Sequence, residues 1–145
     1  MHLENKYVIM TNEMEKRDSM AKINIHALLK NQTENIEHRI ETTGIRNGNQ
    51  IVYQDKEIQM VLKIMENEIR MKRKQQEDCF ACCFIPSLTT DGIYDIKSVN
   101  MSFPIRVYTK KLQIEGNKIV LEYEMTFSNE PPKEFYYQLI YEVIP

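Results

Sequence analysis

From Ala21 onward the chain alternates apolar and polar positions with a period of two, the repeat of strands buried on one face. Ala21, Ile23, Ile25, Ala27 and Leu29 share one side, against Lys22, Asn24, His26 and Lys30 on the other. A second strand carries Ile36, His38, Ile40 and Thr42 inward with Glu37, Arg39 and Glu41 outward, and Gly44 ends it. Asn47-Gly48-Asn49 supplies residues that tolerate a left-handed turn before the short strand Ile51-Val52-Tyr53. Ile58, Met60, Leu62 and Ile64 alternate next, Asn67 makes a tight turn, and Ile69, Met71 and Arg73 share the inward phase that follows.

Cys79-Phe80-Ala81-Cys82-Cys83-Phe84-Ile85 is apolar on both faces and predicts a strand covered on both sides. Thr90-Asp91-Gly92 reads as a turn, and Val99, Met101, Phe103, Ile105 and Val107 alternate after it, with Pro104 marking an edge position or a bulge. Glu115-Gly116-Asn117-Lys118 is a hairpin signal leading into Leu121, Tyr123, Met125 and Phe127. After Pro131-Pro132 the last run puts Phe135, Tyr137, Leu139, Tyr141 and Val143 on one face. This makes about eight to ten short strands joined by short loops, with no central helix. A meander with one apolar face must close or fold over to keep that face dry, so the fold class is all-β, an antiparallel up-and-down barrel.

Residues 1–20 break the pattern. Thr11-Asn12-Glu13-Met14-Glu15-Lys16-Arg17-Asp18-Ser19 is polar and would make at most a short helix, so residues 1–20 read as an N-terminal extension and 21–145 as the barrel domain. The extension is a candidate cover for the outer face of the cysteine-rich strand. Tyr7-Val8-Ile9-Met10 is too short for the apolar region of a secretory signal. Charged residues interrupt every apolar run well before the roughly eighteen residues of a helical bilayer span.

The balance of 42% hydrophobic and 28% charged residues at a formal net charge of −2 is that of an ordinary globular domain and names no polyanionic partner. Three cysteines, Cys79, Cys82 and Cys83, are too few and too crowded for a disulfide framework and fit free thiols in a reducing compartment, which places the chain in the cytoplasm.

The order of several features carries a resemblance: Glu41-Thr42-Thr43-Gly44 closing a strand, Tyr53 soon after, Arg73 behind an Ile69/Met71 alternation, Thr109, then Ile119-Val120-Leu121-Glu122-Tyr123-Glu124-Met125. In this the chain resembles the YwiB-like family of bacterial proteins, over residues 21 to 144. The departures are Gln75 and Pro104, near positions where glycine is usual in that family. The resemblance implies a closed, calycin-like or lipocalin-like barrel and no reaction.

Candidate chemistry is sparse. The Cys-x-x-Cys-Cys spacing lies on a strand, where alternation sends Cys82 to the opposite face from Cys79 and Cys83, so the thiols read as small buried hydrophobes and no metal or other cofactor is expected. The basic run Arg70, Lys72, Arg73 and Lys74 reads as a solvated strand face, not a nucleic-acid groove. Nucleophile-and-base motifs and phosphate loops are absent.

What remains is an interior holding His38, Arg73, Tyr53 and Tyr123, lined further by Ile40, Leu62, Met71 and Met101. It fits a non-enzymatic barrel that binds a small, partly apolar or anionic ligand. The alternative is an interaction protein, monomer or homodimer, with a packed interior and an aromatic outer surface built from Phe135-Tyr136-Tyr137 and Tyr141.

Overall fold

A computed structural model describes residues 20–145, so expectations for residues 1–19, including the cover over the cysteine-rich strand, lie outside the described residues. Ten strands follow one another: β1 (Met20–Asn31), β2 (Ile36–Asn47), β3 (Gln50–Asp55), β4 (Ile58–Met65), β5 (Glu68–Gln75), β6 (Asp78–Phe84), β7 (Thr89–Ile96), β8 (Met101–Glu115), β9 (Lys118–Phe127) and β10 (Lys133–Val143). Each pairs antiparallel with its neighbour in sequence, and β10 returns to β1, closing the barrel without a free edge. The only helical element among the described residues is the 3₁₀ turn Lys97–Val99, so no helix there is long and apolar enough to cross a membrane.

The turns follow local chemistry. Gly48 and Gly116 take positive φ (61° and 56°), as does Asn67 (60°), at the three hairpins that the sequence marks. Gly44 and Gly92 do something else. Gly44 lies inside β2, which continues to Asn47, and a Cβ there would sit 2.5 Å from the Val52 carbonyl oxygen and 2.7 Å from Ile25 Cδ1. Gly92, expected in a turn, lies inside β7, where a Cβ would sit 2.8 Å from the Ala81 carbonyl oxygen. Both glycines mark close backbone approach, which a turn-residue reading does not distinguish from a chain reversal.

Two seams interrupt the ladder. β2 and β3 are in register only from Gly44↔Tyr53 to Asn47↔Gln50, and β6 and β7 only over Cys79↔Asp95 to Ala81↔Ile93. Past the second seam the β6–β7 connection is laced onto β8: Ser87 donates its N–H to the Thr109 carbonyl at 2.8 Å, and Thr109 donates to Leu88 O at 3.3 Å. Thr109 sits at the β8 bulge, wholly buried, its hydroxyl without a partner among the described residues. The irregularity of β8 is therefore at Thr109/Lys111, not at Pro104. Pro104 has a register partner on β7, and pairing with β9 begins only at Ile105, so its missing N–H can face the open side.

The interior is graded from end to end. Ile23, Ile25, Ile51, Leu62, Ile69, Phe84, Leu121 and Leu139 fill one half completely. Towards the other end the inward residues become aromatic, sulfur-bearing and then polar: β3 runs Ile51, Tyr53, Asp55 and β5 runs Ile69, Met71, Arg73. Antiparallel order brings the end of each odd strand beside the start of the next even one, so these sequences converge on a single mouth.

Three expectations change at this level. Met101 is 51% exposed, because the β7–β8 hairpin overshoots β9 and carries the inward phase past the barrel end. Leu62 is buried in the filled half, one layer below the open space. Phe135, Tyr137 and Tyr141 face inward by strand alternation, leaving Tyr136 as the outward member of that group, under the Lys30 ammonium at 5.9 Å.

Candidate functional site in the open half of the barrel

The unfilled half encloses a cavity of about 170 Å³. Its wall is mainly apolar and aromatic: Ile40, Met60, Met71, Phe80, Met125, Phe127 and Phe135, with the tyrosines 53, 94, 123 and 137. Arg73, His38 and Asp55 bring charge to it. A register row built by successive hairpins, Tyr53↔Met60, Met60↔Arg73, Arg73↔Phe80 and Phe80↔Tyr94, places Arg73 between a methionine and a phenylalanine. Its guanidinium lies 5.9 Å from the centre of the Phe80 ring, a cation–π contact. Among the described residues no carboxylate pairs with it within 4.0 Å.

His38 is not enclosed. Its side chain is 48% exposed at the mouth, with Nε2 3.7 Å from Asp55 Oδ2, because β2 and β3 have diverged before reaching this level. Thr42 Oγ1 donates to Gln54 O at 2.9 Å across the same divergence.

The phenols form the polar floor. Tyr53 and Tyr137 share a hydrogen bond of 2.6 Å and are 2% and 1% exposed. One hydroxyl donates to the other, which leaves one O–H proton for another acceptor. Tyr123 stacks on Phe135 (centroids 5.3 Å apart, 13° between planes) and tilts against Phe84 at 4.7 Å, while its hydroxyl has no hydrogen-bond partner among the described residues. Burial pushes Tyr53 up to about 12, and it raises Tyr123 and Tyr137 well above the ordinary phenol value. Arg73 works against burial at Tyr53 and Tyr123 but does not overcome it. All three are neutral O–H donors at neutral pH.

Of the sequence candidates, Arg73, Tyr53, Tyr123, Ile40 and Met71 line one space, and His38 stands at its rim. Sequence reasoning missed Asp55, Phe80 and Tyr137 as members of the site. Tyr137 is in the inward phase of its strand, but which inward residue of β10 meets β3 across the lumen depends on barrel closure. Phe80 was recoverable: a tight hairpin after Gln75 puts it opposite Arg73.

Cys82 faces inward and is buried, which raises its thiol strongly. Cys83 lies on the outer face, hydrogen-bonded to Glu68 at 2.8 Å and pushed up to about 11 by burial and by that carboxylate. All three cysteines are free, and no group of three potential metal ligands converges among the described residues. A larger depression of about 530 Å³ on the outer face of β4–β7, edged by Lys63, Arg70 and Lys72, is shallow and open to solvent.

These features define a closed, ten-stranded, antiparallel up-and-down barrel with a small interior cavity at one end. The chain belongs to the family described as Domain of unknown function (DUF1934), whose model matches residues 21–139. Among solved structures it is similar to the ywiB protein from Bacillus subtilis, with a TM-score of 0.61 at 12% identity, covering 88% of this chain and 93% of that one. At that identity the likeness is one of fold. No curated protein matches the chain.

Proposed function

We propose that this protein is a binding barrel that takes a small, partly apolar molecule into the open half of its interior, with Arg73 as the polar anchor. One observation carries the reading: a guanidinium lines an apolar, phenol-floored cavity with no carboxylate within 4.0 Å of it among the described residues, the Asp55 carboxylate of the same lining standing beside His38 instead. Arg73 is half-buried, and a cation partly withdrawn from water is ordinarily paired or left to snorkel outward. The mixed wall, mostly apolar with a few convergent polar groups, is the composition of small-molecule sites.

The test is ligand-observed NMR with a mixture of small apolar and polar fragments, on wild type and on Met60→Phe, which fills part of the cavity. Wild-type binding lost in Met60→Phe supports the reading. Absence of any binding to wild type, or equal binding to both proteins, overturns it.

A further inference from the structure

We infer that the cavity selects a singly charged carboxylate of about nine heavy atoms or fewer, its carboxylate shared between the Arg73 guanidinium and the Tyr123 hydroxyl. The inference rests on the binding reading above and adds the ligand's class.

Size sets the first limit. A cavity of roughly 150 Å³ in a protein core accepts benzene, and this one measures about 170 Å³. The space suits an aromatic ring or a short branched chain with one polar head. Long acyl chains, nucleotides and macrocycles exceed it.

Charge sets the second. Arg73 lies level with Met60 and Phe80, inside the mouth. Asp55 is one inward position nearer the rim, paired with Ile58 and facing His38. The lining thus carries Arg73 and, towards the rim, Asp55 beside His38, and a carboxylate set against Arg73 pairs the cation that Asp55 does not reach within 4.0 Å. A neutral ligand leaves the guanidinium without a partner, an ammonium adds a second cation, and a dianion brings one buried negative charge too many.

Hydrogen bonding sets the third. A carboxylate offers about four acceptor sites, of which a forked guanidinium uses two. The remaining sites need donors, and the cavity supplies them from phenols: the Tyr123 hydroxyl, without a partner among the described residues, and the spare proton of the Tyr53–Tyr137 pair. Met60, level with Arg73, Met71, one inward position deeper, and Met125 also line the space, and flexible thioether side chains adapt to either a ring or a branched chain.

The experiment is an NMR titration of the full chain with six probes: benzoate, benzyl alcohol, benzylamine, the larger dianion phthalate, and 4-methylpentanoate set against leucine as its amino counterpart. Benzoate is expected to bind roughly tenfold or more tighter than benzyl alcohol, the ratio for one charge-assisted pair, with phthalate and benzylamine weaker still and 4-methylpentanoate ahead of leucine. Arg73→Gln is expected to bring benzoate down to about the level of benzyl alcohol, and the benzyl alcohol binding that Arg73→Gln retains shows that the cavity persists. Arg73→Lys should restore part of the preference, and Tyr123→Phe should weaken benzoate several-fold. Benzyl alcohol, benzylamine or leucine binding as well as its carboxylate counterpart overturns the carboxylate assignment and leaves the binding reading standing. If none of the probes and no fragment binds, the binding reading itself fails.

Discussion

Tyr137→Phe isolates a buried polar contact that spans the lumen. Tyr137 and Tyr53 are 84 residues apart in sequence, on strands that are not neighbours, and their hydroxyls meet at 2.6 Å. Deleting one hydroxyl removes a bond worth about 1 kcal/mol net and strands the other group, whose desolvation costs roughly 1–3 kcal/mol. The adjoining cavity lets the stranded hydroxyl turn towards open space, which places the single substitution near the lower end, about 1–2 kcal/mol. For a chain of 145 residues that lowers the melting temperature by roughly 3–6 °C.

Removing both hydroxyls leaves two phenylalanines of the same shape and no orphan, so Tyr53→Phe/Tyr137→Phe should be far less damaged than the sum of its parts. Urea unfolding of wild type, both single variants and the double variant gives the coupling energy, expected at about 1–2 kcal/mol with an unchanged slope. Additive penalties, with coupling below roughly 0.5 kcal/mol, would show that the hydroxyls act independently and that the phenolic floor described here is wrong.

Gly44→Ala should destabilise by about 2–3 kcal/mol, since a methyl 2.5 Å from a backbone oxygen forces the β2–β3 seam apart; Gly48→Ala, at φ 61° with open space around it, should cost only about 1–2 kcal/mol. Equal melting temperatures for the two variants would contradict the close-approach account. Alkaline pH should weaken the fold: Tyr53 titrates near 10 when unfolded and about 12 when folded, so its contribution is whole below pH 10 and is lost as pH rises through 12. Tyr123 and Tyr137, raised by the same burial, extend the loss further upward. Urea midpoints measured across that range should fall while phenolate absorbance from these three residues stays low; their ionisation near pH 10 with an unchanged midpoint would refute the burial.

Alternation and turn chemistry determined most of the architecture from the sequence alone. Period two over Ala21–Leu29, Leu121–Phe127 and Phe135–Val143 assigned an inward face to each strand, and local backbone preference placed the turns at Gly48, Asn67 and Gly116. These are properties of residues within reach of one another along the chain, and so they are legible in order. Strand alternation also put Arg73, Tyr53 and Tyr123 on the inward face.

What it could not supply was height along the barrel axis. Whether an inward residue sits in the filled half, in the cavity, at the rim or beyond the end depends on how far each strand slides against its neighbours before the sheet closes. That offset is shared by ten strands and encoded in no single one. It moved Met101 into solvent, left His38 at the mouth beside Asp55, sank Leu62 below the cavity floor and brought Tyr137 across to Tyr53. It also showed Gly44 and Gly92 to be places where backbones nearly touch, because a missing side chain reads the same at a turn as at a contact until the opposing strand is in place.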